Sequence, residues 1–183
     1  MKKILTLILG LSIGSSFFAQ NGDGNLHVFN DNTYHQMDLY YTVFTIIPTT
    51  CSGGLQSVGP SVLLPTGTLA SYATFKESTS NPPAPYTPHP YPLDNWSGAG
   101  ALLNGNTIST IMATAQKWSY IKFQLRDPNN PGNIPLMSGS VGFYQNCTGT
   151  PSNMSDSGTL NGINYSFTAE AFMLAGDKWI NIY

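Results

Sequence analysis

Glu77 and Glu170 are the only two glutamates in the chain, so they are the only Glu–Glu pair that could hydrolyse a glycosidic bond. A glycoside hydrolase places its two carboxyl groups about 5.5 Å apart or about 6.5–9.5 Å apart. Glu170 falls on the polar face of one predicted strand, and Glu77 ends another. Their separation in space does not follow from the sequence. Glycan hydrolysis by dispersed carboxylates is therefore an alternative function.

Two histidines, His27 and His35, lie close to Asp31 and Asp38, and imidazole and carboxylate groups can together hold a metal ion. Their spacing matches no established ligand pattern. The segment 127–133 offers oxygen ligands of the kind calcium prefers, but it lacks the closing bidentate glutamate. We therefore expect no metal ion and no cofactor.

The pattern Gly-x-Ser-x-Gly, which marks the nucleophile of many serine hydrolases, occurs at residues 10–14. It falls inside an apolar run that follows Lys2 and Lys3 and precedes Ala19, as in a secretory signal peptide. We predict that residues 1–19 are a cleaved signal peptide and that residues 20–183 form one domain. The predicted domain carries no nucleophile motif, so no catalytic residue is assigned and a non-enzymatic function is favoured.

The segment 118–126 predicts a ligand-binding surface because its side chains alternate along a strand. Ile121, Phe123 and Leu125 should point into the core. The opposite face would then carry aromatic, amide and cationic side chains: Trp118, Tyr120, Lys122, Gln124 and Arg126. Flat rings beside such donors suit stacking on a sugar or gripping a peptide. We expect an extracellular glycan or a protein surface as the partner.

A proline-rich segment at 81–93 adds two candidate ligand-binding residues, Tyr86 and Tyr91. Its prolines disfavour helix and strand pairing and favour an extended polyproline II conformation. We predict a long, stiff crossover between two sheets.

The elements that must position these residues are mostly strands. Alternating, β-branched or aromatic stretches predict strands at 26–30, 37–47, 61–64, 68–75, 118–126, 136–144, 163–173 and 178–183. Breaks at 127–132 and 174–177 are typical of hairpins. One short helix is predicted around Ile108 to Ala115, capped by Asn106 or Thr107. The fold class is all-β: a single antiparallel β-sandwich of about eight strands, Greek-key or jelly-roll-like.

Cys51 and Cys147 are the only cysteines, and both lie among turn-forming residues. An even cysteine count in an exported protein favours a disulfide. We therefore predict a Cys51–Cys147 bond and a secreted or periplasmic location.

Composition excludes several other functions. Lys and Arg number only 7 against 9 Asp and Glu, without the basic clusters that nucleic-acid binding requires. After the predicted signal peptide, no apolar run is long enough to span a membrane. A membrane-active β-protein that refolds on a bilayer remains a further alternative.

Overall fold

The structure, a computed structural model, describes residues 24–32, 35–58, 62–77, 82–86, 92–129 and 135–183. The predicted signal peptide at 1–19 and the candidate residue Tyr91 lie outside the described residues.

Two sheets face each other across one core, so the predicted all-β sandwich is confirmed. The five-stranded sheet has the order β10-β11-β12-β1-β5, and the seven-stranded sheet has the order β7-β6-β3-β2-β8-β9, with β4 also paired to β2. The strands are β1 Leu26–Asn30, β2 Asp38–Ile46, β3 Gln56–Ser57, β4 Val62–Leu64, β5 Thr68–Tyr72, β6 Asn95–Gly98, β7 Ala101–Asn104, β8 Lys117–Arg126, β9 Pro135–Gly142, β10 Asn153–Leu160, β11 Ile163–Leu174 and β12 Asp177–Ile182.

The described residues thus contain more strands than the predicted eight. The additional strands β3, β6, β7 and β10 are short or mostly polar, so they lack the hydrophobic alternation that marks a strand in sequence. One pairing also differs from the antiparallel prediction. Strand β1 pairs in parallel with β12 and antiparallel with β5, which puts β1 and β12 inside the five-stranded sheet.

Two predicted features of the core are confirmed. Ile121, Phe123 and Leu125 of β8 are buried between the sheets, and so are Ile180 and Ile182 of β12. The ring of Phe123 meets that of Phe167, on the facing sheet, edge-on at 5.3 Å between centroids. Alternation along these strands therefore predicted the inward face correctly over most of their length.

Trp118 was predicted to lie on the outer face of β8, and that prediction is wrong. Its exposed fraction is 0%, and its ring packs against Phe75 at 5.0 Å and Trp96 at 6.1 Å. The physical reason is a bulge: Phe44 pairs with Tyr120, but the next residue, Thr45, pairs with Trp118. The extra residue, Ser119, reverses the alternation, because a bulge sets two residues of one strand against one of its partner.

Tight two-residue turns connect three antiparallel pairs. The turns Ala99-Gly100, Asn161-Gly162 and Ala175-Gly176 have positive φ at both residues, as the hairpin turn of type I′ requires. The predicted hairpin at 174–177 is confirmed as the β11–β12 connection. The break at 127–132 connects the antiparallel strands β8 and β9, although its residues from 130 onward lie outside the described part.

The predicted helix begins later than expected. Gly105–Thr107 forms a turn of 3-10 helix, and helix α1 spans Thr110–Ala115. The hydroxyl of Ser109 accepts the amide proton of Met112, so Ser109 is the cap in place of Asn106 or Thr107. A second helix, α2, spans Gln145–Thr148. In the part of the chain that the structure describes, no helix is long and apolar enough to cross a lipid bilayer.

The predicted disulfide is confirmed. Cys51 and Cys147 are bonded, with their Cα atoms 5.0 Å apart and 96 positions apart in sequence. Cys51 follows β2, and Cys147 lies in α2 after β9. The bond therefore joins the chain that leaves β2 to the chain that leaves β9.

A buried lysine, Lys178, shares the inward face of β12 with Ile180 and Ile182. It is 1% exposed. Its ammonium group lies 5.2 Å from the ring centroid of Phe143 and donates to the hydroxyl of Tyr144 at 3.3 Å. Burial lowers the pKa of Lys178 to about 8. The protein therefore buries a charge at neutral pH, which is unfavourable for folding.

We expect the protein to become more stable as pH rises above about 8. The pKa of Lys178 is about 8 when folded and 10.5 ordinarily, so within that range the unfolded chain binds more protons. The penalty at pH 7 is about 3 kcal/mol, at about 1.4 kcal/mol per pKa unit. Urea unfolding at about pH 7 and about pH 9.5 should show a gain of about 2 kcal/mol, because the rest of the penalty disappears only above about pH 9.5.

Lys178→Met is the matched variant for this measurement. It should be about 2 kcal/mol more stable than the natural protein at pH 7, and most of the stability gain at higher pH should vanish. Measurements should stop below pH 10.0, the ordinary pKa of tyrosine, because burial raises the pKa of Tyr144 and its ionisation acts in the opposite direction. Equal pH dependence in the two proteins would contradict the assignment to Lys178.

Candidate functional site

The outer surface of β2 and β8 carries a continuous set of aromatic and polar side chains, which we call the β2–β8 face. Its members alternate with the buried residues of the two strands and are exposed or half-buried. Antiparallel register places Tyr40 opposite Gln124, Thr42 opposite Lys122 and Phe44 opposite Tyr120. With Arg126 at the end of β8, the face comprises Tyr40, Thr42, Phe44, Tyr120, Lys122, Gln124 and Arg126.

Rings and cations of this face hold each other in place. Phe44 and Tyr120 are stacked, with centroids 4.4 Å apart and planes 3° from parallel. The ammonium group of Lys122 lies 5.3 Å from the Phe44 centroid, and the guanidinium of Arg126 lies 4.3 Å from the Tyr40 centroid. Both distances are within the range of a cation–π interaction. The face is therefore ordered before any ligand arrives.

A groove of about 520 Å³ runs along this face. Its walls include Tyr40, Thr42, Lys122 and Gln124. Strand β9 adds the hydroxyls of Ser138 and Ser140, since Ser138 pairs with Gln124 and Ser140 with Lys122. The groove thus combines aromatic walls with hydroxyl, amide and ammonium groups.

The electrostatic character of the face varies along its length. Arg126 donates to the side-chain oxygen of Gln124 at 2.7 Å. Asp38, directly opposite Arg126 on β2, has its pKa raised by burial and by the nearby charge of Asp127. Burial also raises the pKa of Tyr120, so its hydroxyl keeps its proton at neutral pH. Lys122 is the one charged residue among the described residues that line the groove.

The candidate ligand-binding residues predicted from the sequence do not all lie on one surface. Tyr120, Lys122, Gln124 and Arg126 share the β2–β8 face, whereas Trp118 lies in the core. Tyr86 meets Phe29 edge-on at 5.5 Å. Phe29 belongs to β1, on the other sheet, so Tyr86 is not part of the same surface.

Two aromatic residues of the face, Tyr40 and Phe44, were not identified from sequence. Their strand showed clear alternation, with Leu39, Tyr41 and Val43 buried as in the structure. The alternation along β2 does not predict that β2 pairs with β8, and it is this pairing that places the rings beside the cations. Such pairing links residues about eighty positions apart and needs the folded topology.

The two glutamates have separate hydrogen-bond partners. One oxygen of Glu77 accepts the backbone amide protons of Ala73 and Thr74 at 2.8 and 2.9 Å. Burial raises the pKa of Glu77, although these bonds act against it. Glu170 accepts the hydroxyl proton of Tyr183 at 3.0 Å. These contacts do not set the two carboxyl groups across a common cleft.

The two histidines considered as metal ligands, His27 and His35, have different partners. His27 contacts Ser71 and Asp177, whereas His35 accepts the amide proton of Ser166 at 3.3 Å. Within the described ranges, no three His, Cys, Asp or Glu side chains are grouped closely enough to hold a metal ion.

Comparisons of the chain with protein families, with curated proteins and with solved structures find no match.

Proposed function

We propose that the protein is secreted and binds its ligand non-enzymatically at the β2–β8 face. The observation that carries this proposal is the interlocked set of rings and cations beside a groove on an open sheet surface. The Cys51–Cys147 disulfide is compatible with an extracellular or periplasmic location, where such bonds persist.

Pre-organisation supports binding at this face. A ligand that orders loose side chains loses about 0.5–1.5 kcal/mol for each one it immobilises. Here Phe44 is already fixed by Tyr120 and Lys122, and Tyr40 is already covered by Arg126. A ligand can therefore contact these groups without having to order them first.

The chemistry of the groove favours a glycan that carries acidic groups. Hydroxyls of Ser138 and Ser140 and the amide of Gln124 match the hydrogen-bonding groups of sugars. Lys122 and Arg126 add two cations, about 13 Å apart along the strand at about 3.3 Å per residue. That spacing suits an extended chain with repeated acidic groups better than a single small anion.

The test is an array of neutral glycans, acidic glycans and acidic peptides, followed by affinity measurements on the best ligand. We expect acidic glycans to bind, with affinity that falls as salt is added. Lys122→Ala and Tyr120→Ala should each weaken binding tenfold or more, as expected when a central interface residue is removed.

Lys76→Ala is the matched control because Lys76 follows β5 and lies outside the face. It should bind normally. Binding that Lys122→Ala and Tyr120→Ala leave intact would move the site elsewhere on the protein. Selective binding of acidic peptides would keep the face as the site but replace the glycan with a protein partner.

A further inference from the structure

A second group of polar side chains lies on the outer surface of the five-stranded sheet. His27 of β1 sits directly opposite Ser71 of β5, and the two are side by side through strand pairing. The ring nitrogen Nδ1 of His27 is 2.7 Å from the hydroxyl oxygen of Ser71. The other ring nitrogen, Nε2, is 3.2 Å from a carboxylate oxygen of Asp177. Serine, histidine and aspartate thus form one hydrogen-bonded relay.

The hydrogen bonds around Asp177 determine which nitrogen of His27 donates a proton and which accepts one. Its other oxygen accepts the backbone amide proton of Asn25 at 2.8 Å. Burial alone would raise the pKa of Asp177, but the hydrogen bonds from Asn25 and His27 lower it. The carboxylate is therefore ionised at neutral pH and accepts a proton from Nε2. In the tautomer that donates from Nε2, Nδ1 carries a lone pair that faces the Ser71 hydroxyl.

The relay borders a cavity large enough for a small molecule. This cavity has a volume of about 430 Å³, and its walls include His27, Ser71, Asp177, Pro83 and Trp179. The indole of Trp179 stacks on the His27 ring, with centroids 4.1 Å apart. The stacking fixes the ring plane and gives the cavity an apolar wall. Ser71 and His27 are each 5% exposed, so only a small or slender substrate reaches the hydroxyl.

We propose that Ser71 is the nucleophile of a Ser71–His27–Asp177 site that hydrolyses short-chain carboxylic esters. The roles are those of a catalytic triad: nucleophile, general base and the carboxylate that orients the base. Compared with the serine protease triad, the two ring nitrogens of His27 exchange partners. Either nitrogen of a neutral imidazole can act as the base once the other holds the proton.

The reaction proceeds in two steps. As the Ser71 oxygen bonds to the ester carbonyl carbon, its proton moves to Nδ1 of His27. The bond to the alcohol oxygen breaks, and that oxygen takes the proton from His27 as the alcohol leaves. Water then attacks the acyl-Ser71 ester, gives one proton to His27 and releases the carboxylic acid, while His27 returns the proton to Ser71.

This site is independent of the proposed binding function because it lies on the other sheet. The β2–β8 face belongs to the seven-stranded sheet, and the relay joins β1 and β5 with the start of β12 in the five-stranded sheet. Loss of glycan binding therefore does not affect the proposal, and loss of esterase activity leaves the proposed binding function untouched.

The experiment incubates the purified protein with p-nitrophenyl acetate and follows p-nitrophenol release and peptide mass. The natural protein should release p-nitrophenol in repeated turnovers, and rapid quenching should recover one acetyl group on Ser71. Ser71→Ala should abolish both signals. Ser155→Ala, which removes an exposed hydroxyl on β10, is the matched control and should react normally.

Asp177→Asn tests the relay without removing its hydrogen bonds. Asparagine keeps an oxygen for the Asn25 amide but turns an N–H toward Nε2, so His27 must carry its proton on Nδ1 and cannot accept one from Ser71. Turnover should fall at least about a hundredfold while the melting temperature changes little. Acetylation at other residues only, or turnover that survives in Ser71→Ala or Asp177→Asn, would overturn the proposal.

Discussion

Replacing Trp118 with alanine is expected to lower the free energy of unfolding by about 3–5 kcal/mol. The indole is fully buried among Phe75 and Trp96, and its N–H donates to the backbone oxygen of Gly24 at 3.0 Å. Truncation removes a large apolar side chain, leaves a cavity and deprives that oxygen of its donor. Each of these losses lowers the free energy of unfolding.

Urea unfolding of Trp118→Ala and Tyr120→Ala measures this difference. Tyr120 is two residues away on the same strand but lies on the β2–β8 face, where its main ring contact is the stack with Phe44. Its truncation should lower the free energy of unfolding clearly less than that of Trp118, because a half-buried ring leaves no enclosed cavity. Equal losses in the two variants would mean that the bulge at Ser119 does not reverse the strand.

Removing the disulfide should lower stability by about 4–5 kcal/mol, the loop-entropy value for a closed loop of about a hundred residues. The bond joins residues 96 positions apart, so the reduced unfolded chain gains much conformational freedom. The folded state should survive, because the two sheets bury one continuous apolar core that includes neither cysteine.

The measurement compares thermal unfolding of the oxidised protein with that of Cys51→Ser/Cys147→Ser. The double variant should melt cooperatively at a lower temperature. A control variant, Ser52→Ala, changes an exposed residue beside the bond and should melt close to the natural protein. An unchanged melting temperature without the bond would show that the unfolded chain is already constrained in this region.

Local sequence patterns predicted the fold where one face of a strand is apolar and the other polar. This was so for β2, for β8 from Tyr120 to Arg126, for the middle of β11 and for β12, where buried and less buried residues alternate. The patterns failed where the direction of a side chain depends on pairing with a distant strand, or where a strand has no apolar face. Trp118 is turned inward by a bulge that depends on pairing with β2, and β10 is almost wholly polar. The Asn161-Gly162 pair was a strong hairpin signal that could have revealed β10.

The candidate sites were predictable only in part for a related reason. Alternation placed Tyr120, Lys122, Gln124 and Arg126 on one face, because that property belongs to a single strand. The relay of Ser71, His27 and Asp177 involves three strands, and residues 27 and 177 are 150 positions apart. Ser71 lies in no nucleophile motif, so only the register of β1 with β5 reveals it.

The parallel pairing of β1 with β12 also bears on how the five-stranded sheet holds together. Strand β12 lies between β11 and β1, so it joins two parts of the sheet that have no other hydrogen-bonded strand between them. Without β12, the β10–β11 hairpin and the β1–β5 pair can each still form, but no strand links them. Proteolysis that removes β12 would split the five-stranded sheet into two separate pairs, β10 with β11 and β1 with β5. Loss of β12 should therefore expose the edges of β11 and β1 and make both pairs more sensitive to proteases.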